Sequence, residues 1–307
     1  MRLVQCLSLE TLREVPVPER TVLALGNFDG VHLAHRKLIE EATGLCARYP
    51  GAVSGVFCFR ELSSERLSRN PPAHLCTAEE RLERFRACGA KIVLIADFDA
   101  IRELSPERFV RDLLQTECRC VAAVCGFNYR FGKGASGDAA TLNRLLNGNA
   151  TVCPAVTVDG KPVSSTRIRN LLATGNVREA ATLLTEPYSV STVITHGKAL
   201  GRKMSFPTVN QSFPERLSVP RFGVYATVCE VEGNCYRGVT NVGVRPTVDA
   251  PGSSPNCETY LIGFSGDLYG KRVKVSFLDF IRPERKFASV EELTAQIRED
   301  VRRAQQI

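Results

Sequence analysis

A change of texture near residue 186 limits the fold of this chain more than any single motif. Before it, short apolar runs alternate with segments of helical spacing. Strand-like runs lie at 21–25, 51–59, 91–95, 120–125 and 151–156. Between them fall a helix from His32 to about Tyr49, one behind the Thr77/Glu80 capping box, one opened by Ser105-Pro106-Glu107, and one from about Asp138 to Leu146. In the first of these, Leu38, Ile39, Ala42, Leu45, Cys46 and Tyr49 recur close to helical spacing. Alternation of this kind predicts a doubly wound parallel sheet with helices on its faces. After 186 come the runs YSVSTVITHG, RFGVYATVCEVEG, CYRGVTNVG, CETYLIGF and KRVKVSFLDFI. Turn signals separate them at Gly197-Lys198, Glu232-Gly233-Asn234, Pro251-Gly252 and Ser265-Gly266-Asp267. Short strands at this spacing predict a small antiparallel barrel, followed by one helix from Ser289 with acids in its first turn and arginines near its last. The expected domains are therefore 1–185 and 186–307.

Charge and composition narrow the function. The formal charge of +7 favours anionic partners. Lys and Arg are spread along the chain, which points to nucleotides or phosphorylated metabolites and not to nucleic acid. The N-terminal MRLVQCLSLETLREV lacks the long apolar core of a signal peptide, and no run of about 18 apolar residues occurs, so neither export nor a membrane is expected. Twelve cysteines then read as reduced thiols of a cytoplasmic protein, packed as small apolar groups. Cys118, Cys120 and Cys125 lack zinc-site spacing. With no heptad pattern or apolar patch to specify an interface, no obligate protein partner is expected.

Three stretches of the first half carry chemistry. Thr21 to His35, TVLALGNFDGVHLAH, has the grammar of a strand, a phosphate-facing turn and a helix start, with His32 and His35 three residues apart. GFNYRFGKGASGD at 126–138 places four glycines and two cations in a short loop, either a ligand loop or a mobile surface one. In VSSTRIRNLLATGNVREAATLL, Ser164 or Ser165 caps a helix bearing Arg167 and Arg169, Gly175 stops it, and Asn176 with Glu179 is expected to cap the next. Hydroxyls and amides at a helix start beside arginines suit a triphosphate, although capped helices are common structural devices. Adenylyl transfer needs such positioning and charge more than a protein nucleophile.

GNFDGVHLAH is similar to the signature of the nucleotidyltransferase superfamily. With GFNYRFG and VSSTRIR behind it, the first domain resembles the FMN adenylyltransferase half of bacterial bifunctional riboflavin kinase/FAD synthetases. HGKALGRKMSFPTVN, FGVYATV, TNVGVRPT, NCETYLIGFSGDLYG and RPERKFASVEEL resemble the kinase half. The resemblance covers nearly the whole chain and implies a Rossmann-like nucleotidyltransferase followed by a β-barrel kinase. By that resemblance His32 and His35 contact ATP phosphates. Gly26, Asn27, Phe28 and Asp29 shape the pocket, and Ser164, Ser165 and Arg169 complete it. Asn128 lies near the flavin phosphate and a Mg²⁺. In the second domain Gly197 and Gly201 join the nucleotide and flavin site, Thr208 and Asn210 hold Mg²⁺ and phosphates, and Glu258 is the base for the riboflavin 5′-hydroxyl. A carboxylate is what a hydroxyl attacking a γ-phosphate requires.

The implied reactions are riboflavin plus ATP to FMN and ADP, then FMN plus ATP to FAD and pyrophosphate. The chain departs from the family pattern at Ala34, between the two histidines, at Arg60-Glu61-Leu62, at Ser205, and at the junction Thr185-Glu186-Pro187-Tyr188. Two other readings stay open on the sequence: a riboflavin kinase with a weak or inactive adenylyltransferase domain, and a flavin- or nucleotide-binding regulator without turnover.

Overall fold

The computed structural model describes residues 2–6, 17–62, 66–195, 206–244 and 255–307. They fall into two compact units that divide between Ser165 and Thr166.

In the first unit, β1 (Arg2–Cys6), β2 (Thr21–Leu25), β3 (Val53–Phe59), β4 (Ile92–Ala96), β5 (Cys120–Gly126) and β6 (Ala150–Cys153) form one sheet. Its spatial order is β1-β4-β3-β2-β5-β6, with every neighbouring pair parallel. Both faces are covered, and the period of two along each strand assigns alternate residues to opposite cores. Val22, Ala24, Val56, Val93 and Val124 pack with Leu38, Ile39 and Ala42 of α1 (Leu33–Leu45) and Phe85 of α2 (Ala78–Ala87). Leu23, Leu25, Phe57, Leu94 and Ala123 pack on the other face with Phe109, Leu113 and Leu142, the last on α3 (Ala139–Leu145). The expected capping box is formed: the Thr77 hydroxyl accepts from Glu80 N–H at 3.2 Å and the Glu80 carboxylate accepts from Thr77 N–H at 2.9 Å.

The structure revises several boundaries. Thr21–Leu25 is the second strand of the chain, because Arg2–Cys6 adds an edge strand beside β4 that the short, mixed N-terminal sequence did not announce. The helix opened by Ser105 runs as a single turn, Pro106–Arg108, and continues as a π-helical stretch over Phe109–Glu117. There the Thr116 hydroxyl donates to Arg111 O, five residues back, in keeping with that wider spacing.

The second unit begins one residue into α4 (Ser165–Thr174), which is followed by α5 (Val177–Leu184) after Gly175 at φ 86°, as its helix-stop role requires. Asn176 makes no capping bond, contrary to expectation. Its amide donates to the Thr174 hydroxyl, and Glu179 instead accepts from Arg167 at 2.7 Å. Six strands follow: β7 (Ser189–Val193), β8 (Thr208–Ser212), β9 (Gly223–Val231), β10 (Asn234–Val244), β11 (Pro255–Leu261) and β12 (Arg272–Arg282), and α6 (Val290–Gln306) ends the chain. The order β7-β12-β9-β10-β11-β8 is antiparallel throughout. An added bridge between Thr195 and Asn210 draws the two edges together into a nearly closed barrel. β9 and β10 are joined by Glu232-Gly233, both at positive φ, the primed turn that this hairpin favours. α6 is tied to β12 by Arg282, whose guanidinium forks onto the buried Asp300 carboxylate at 2.7 to 3.1 Å.

Candidate functional site

In the parallel sheet, β2 is flanked by β3 on one side and β5 on the other, so the strand order reverses there. Open α/β sheets bind ligands outside the carboxyl ends of the strands at such a switch point. Gly26 follows β2 and Asn128 follows β5, and the β2/β5 register brings both loop starts to the same level. The two glycine-containing motifs picked from the sequence are thus neighbours, as a shared ligand requires.

The turn after β2 is under backbone strain. Phe28 (φ 55°), Gly30 (φ 75°) and Val31 (φ 43°) all lie on the positive side, and for the β-branched Val31 this is a true outlier. Phe28 is fully buried, edge-on to Phe85, and a Cβ at Gly26 would lie 3.2 Å from its ring. Asp29 is also buried. Its carboxylate accepts from Leu75 N–H at 2.9 Å, and its carbonyl accepts from the Ser165 hydroxyl at 3.1 Å. Asp29 therefore anchors the turn, and Ser165 reaches it from the third motif. Ser164 is half-buried beside Ser165; Asn27 and Asn128 are exposed, and Gly126 leaves room for the Asn128 amide, 3.3 Å from where a Cβ would stand. Arg169 lies on α4, in the second unit.

His32 is the N-cap of α1, and its Nδ1 accepts from His35 N–H at 3.4 Å. Acceptance at Nδ1 assigns the proton of the neutral ring to Nε2. The two imidazoles stack with centroids 3.7 Å apart and planes 12° from parallel. Burial first, and the neighbouring His32 second, hold the His35 pKa well below the ordinary histidine value. His35 is accordingly neutral at pH 7, and its buried Nδ1 has no hydrogen-bond partner. Ala34 sits between them, half-buried at the second position of α1.

Two residues of this site escaped the sequence reading. Arg81 and Arg84, one turn apart on α2, are buried and aimed at the strained turn. Arg84 donates to Gly30 O at 2.9 Å, and Arg81 donates to the carbonyls of Asn27, Phe59 and Arg60 at 3.1 to 3.4 Å. The available signal was their spacing of three on the face shared with Phe85, the buried face of that helix.

The barrel carries the second constellation. Across β8 and β11, Asn210 stands opposite Glu258 and Thr208 is one diagonal step away, so all three share a face. The Thr208 hydroxyl donates to Glu258 Oε1 at 2.7 Å. Asn210 is buried, and its Oδ1 accepts from the Asn256 amide at 3.4 Å. On the other side of β11, Asn241 of β10 stands opposite Glu258 and donates to Glu284 Oε1 at 2.9 Å. Gly243 makes room for that carboxylate, since a Cβ there would lie 2.4 Å from Glu284 Oε1. Asn241 and Glu284 were not singled out from the sequence, although TNVG and RPERK contain them. The opposite face of these strands is a buried polar ladder, Thr227, Thr240 and Thr259, joined by hydroxyl contacts of 2.9 Å. Gly197 and Gly201 lie outside the described residues.

A parallel-sheet unit with its loops gathered at a switch point, followed by a small barrel with a threonine, an asparagine and a carboxylate on one face, defines a two-part class of nucleotide-handling protein. A family model described as FAD synthetase matches residues 14–167, and one described as riboflavin kinase matches residues 184–307. The bifunctional riboflavin kinase/FMN adenylyltransferase of Bacillus subtilis is 35% identical, with 93% of this chain and 92% of that protein covered. That of Escherichia coli K12 is 34% identical, with 98% and 96% covered. A crystal structure described as a macrolide-efflux protein from Streptococcus pneumoniae has a TM-score of 0.90 at 28% identity and covers 99% of both chains. This chain belongs to the bifunctional riboflavin kinase/FMN adenylyltransferase family. No helix among the described residues is long and apolar enough to cross a membrane.

Proposed function

We infer that this protein makes both flavin cofactors in sequence, phosphorylating riboflavin to FMN at the barrel and adenylylating FMN to FAD at the parallel sheet, with ATP as co-substrate of each step. The observation that carries the reading is the Thr208–Glu258 pair and the His32/His35 pair together in one chain that matches both family models. A regulator without turnover would have no use for a carboxylate oriented by a hydroxyl at 2.7 Å.

At the barrel, Glu258 takes the proton of the riboflavin 5′-hydroxyl as its oxygen attacks the γ-phosphorus of ATP. Its orientation comes from Thr208, and a carboxylate in hydrogen-bond reach of the nucleophile is the general base that this step needs. Thr208 and Asn210 offer hydroxyl and amide oxygens beside Glu258, a hard donor set suited to Mg²⁺ shared with substrate phosphates. When bound, the ion neutralises charge on the transferring phosphoryl group. Gly197 and Gly201 belong to this site by family resemblance.

At the sheet, the phosphate oxygen of FMN attacks the α-phosphorus of ATP and pyrophosphate leaves. No protein nucleophile takes part. His32 and His35 at the start of α1 meet the triphosphate, where helix-end amides also favour an anion. His32 offers its Nε2 proton, and the neutral His35 adds a donor without a full charge. Gly26, Asn27, Phe28 and Asp29 hold the turn in shape, with Ser165 securing it at the Asp29 carbonyl. Ser164 belongs to the ATP site on this unit, and the family resemblance alone assigns Arg169 to ATP. Asn128 faces the flavin phosphate, with a Mg²⁺ there as a further part of the proposal. The functional boundary is placed at 185/186, where the texture of the sequence changes. A location in the cytoplasm and action on small molecules alone fit these reactions.

The test is to supply ATP and Mg²⁺ with riboflavin or FMN to a Glu258→Ala protein. FAD formation from FMN persists and FMN formation disappears. If both vanish in a folded variant, the assignment of two sites is wrong.

A further inference from the structure

Arg81 is a buried cation at the sheet site whose surroundings do not balance its charge. The side chain is 6% exposed, and all its hydrogen bonds go to the carbonyls of Asn27, Phe59 and Arg60. Its Nε is buried with no partner. No ion pair joins it to a carboxylate among the described residues. Two buried thiols lie within reach of its charge, and burial disfavours their ionised form: the Cys58 pKa is raised, and that of Cys76 is pushed up to about 11. Arg84, one turn on, is a second buried cation against the same turn, and Asp29 is the one buried carboxylate of that turn. Among the described residues, two buried guanidiniums against one buried carboxylate leave an excess positive charge beneath residues 26–31. Buried charges are stable when paired, so an anion is the missing partner.

We propose that Arg81 is a positioning residue for adenylyl transfer, whose charge is matched by the polyphosphate of the adenylyl donor when it occupies the turn after β2. The inference rests on the reading of that turn as the ATP site for FMN adenylylation. Arg81 acts through the backbone that it holds. By gripping Asn27 O beyond β2 and Phe59 O and Arg60 O at the end of β3, it fixes two adjacent strand ends and brings a full charge under them. A polyphosphate binds there without a guanidinium reaching out from the surface. The rival account is a strut that only ties three carbonyls together and is indifferent to ligand charge.

The two accounts differ in what a lysine can do. Lys restores the charge but not the planar fork that serves three carbonyls. The full chain is prepared with Arg81→Lys and Arg81→Met, and FAD formation from supplied FMN is followed with ATP varied and inorganic pyrophosphate as inhibitor. In Arg81→Met, KM for ATP and the inhibition constant for pyrophosphate rise together by about tenfold or more, with a smaller change in kcat. Arg81→Lys recovers both to within about threefold. Riboflavin phosphorylation in the same preparations is unchanged. Unaltered pyrophosphate inhibition in Arg81→Met overturns the proposal, as does an Arg81→Lys protein no better than Arg81→Met. Should Arg81→Met fail to fold, thermal unfolding of Arg81→Lys decides: an upward shift with pyrophosphate equal to that of the parent supports the proposal, and loss of that shift contradicts it. Failure of the underlying reading shows separately, as His32→Ala and His35→Ala proteins that keep full FAD formation.

Discussion

Replacing Glu258 by Gln isolates the proton-accepting role proposed for it from everything else that side chain does. Gln has the same length and keeps a carbonyl oxygen to accept from Thr208, the contact that measures 2.7 Å in the parent. Its neighbours on the sheet face, Asn210 and Asn241, face an amide in place of a carboxylate, so neither strand register nor packing has cause to change. What is lost is the ability to take up a proton, and a positioned general base contributes about 10² to 10⁴ in rate. At about 1.4 kcal/mol per factor of ten, that is roughly 3 to 5.5 kcal/mol of barrier. Initial rates of FMN formation at saturating riboflavin and ATP measure it directly, with FAD formation from supplied FMN in the same samples as the control. The expected result is kcat for phosphorylation down by about two to four decades and adenylylation unchanged. A fall of less than about tenfold refutes Glu258 as the base.

His35 gives a pH signature of stability, because its pKa is lowered in the folded chain. Below the ordinary value near 6.5 the unfolded chain takes up a proton that the folded chain refuses, so stability falls as pH drops through 6.5, by up to about 1.4 kcal/mol per pH unit, down to the folded pKa. Urea midpoints at several pH values show this slope in the parent and a shallower one in His35→Gln; equal slopes contradict the assignment. Ala34→Gly tests whether the methyl between the histidines crowds the phosphates: the account expects KM for ATP in FAD formation to stay within about twofold, with a stability cost below about 1 kcal/mol. A tenfold fall in that KM shows crowding instead.

Much of this molecule was legible in the sequence because its local signals agree with its tertiary use. The alternation before residue 186 became a parallel sheet since its central apolar runs are buried on both faces, as Val22 and Leu23 illustrate by joining opposite cores. Thr77 and Glu80 could be read as a capping box because both partners lie within four residues. β1 and β8 were harder to see. Arg2–Cys6 is an edge strand defined by pairing with β4, and TVNQS carries polar residues because one face of β8 places Thr208 and Asn210 beside Glu258 while Gln211, on the other, donates to Val273 O inside the barrel. The histidine pair was visible as spacing, whereas its stacking and the lowered pKa of His35 depend on burial. Arg81, Arg84, Asn241 and Glu284 act across 21 to 54 residues of chain, and only the fold brings such partners together. Asp29 shows the converse. The family resemblance implies that it helps shape the nucleotide pocket, and the structure shows its carboxylate engaged by Leu75 N–H.

The most direct test of the account is a product analysis of the unmodified protein. The full chain is incubated with ATP and Mg²⁺, with riboflavin in one reaction and FMN in another, and the flavins are resolved chromatographically over time. The account predicts FMN and then FAD from riboflavin, and FAD alone from FMN. Accumulation of FMN with no FAD from either substrate would contradict it.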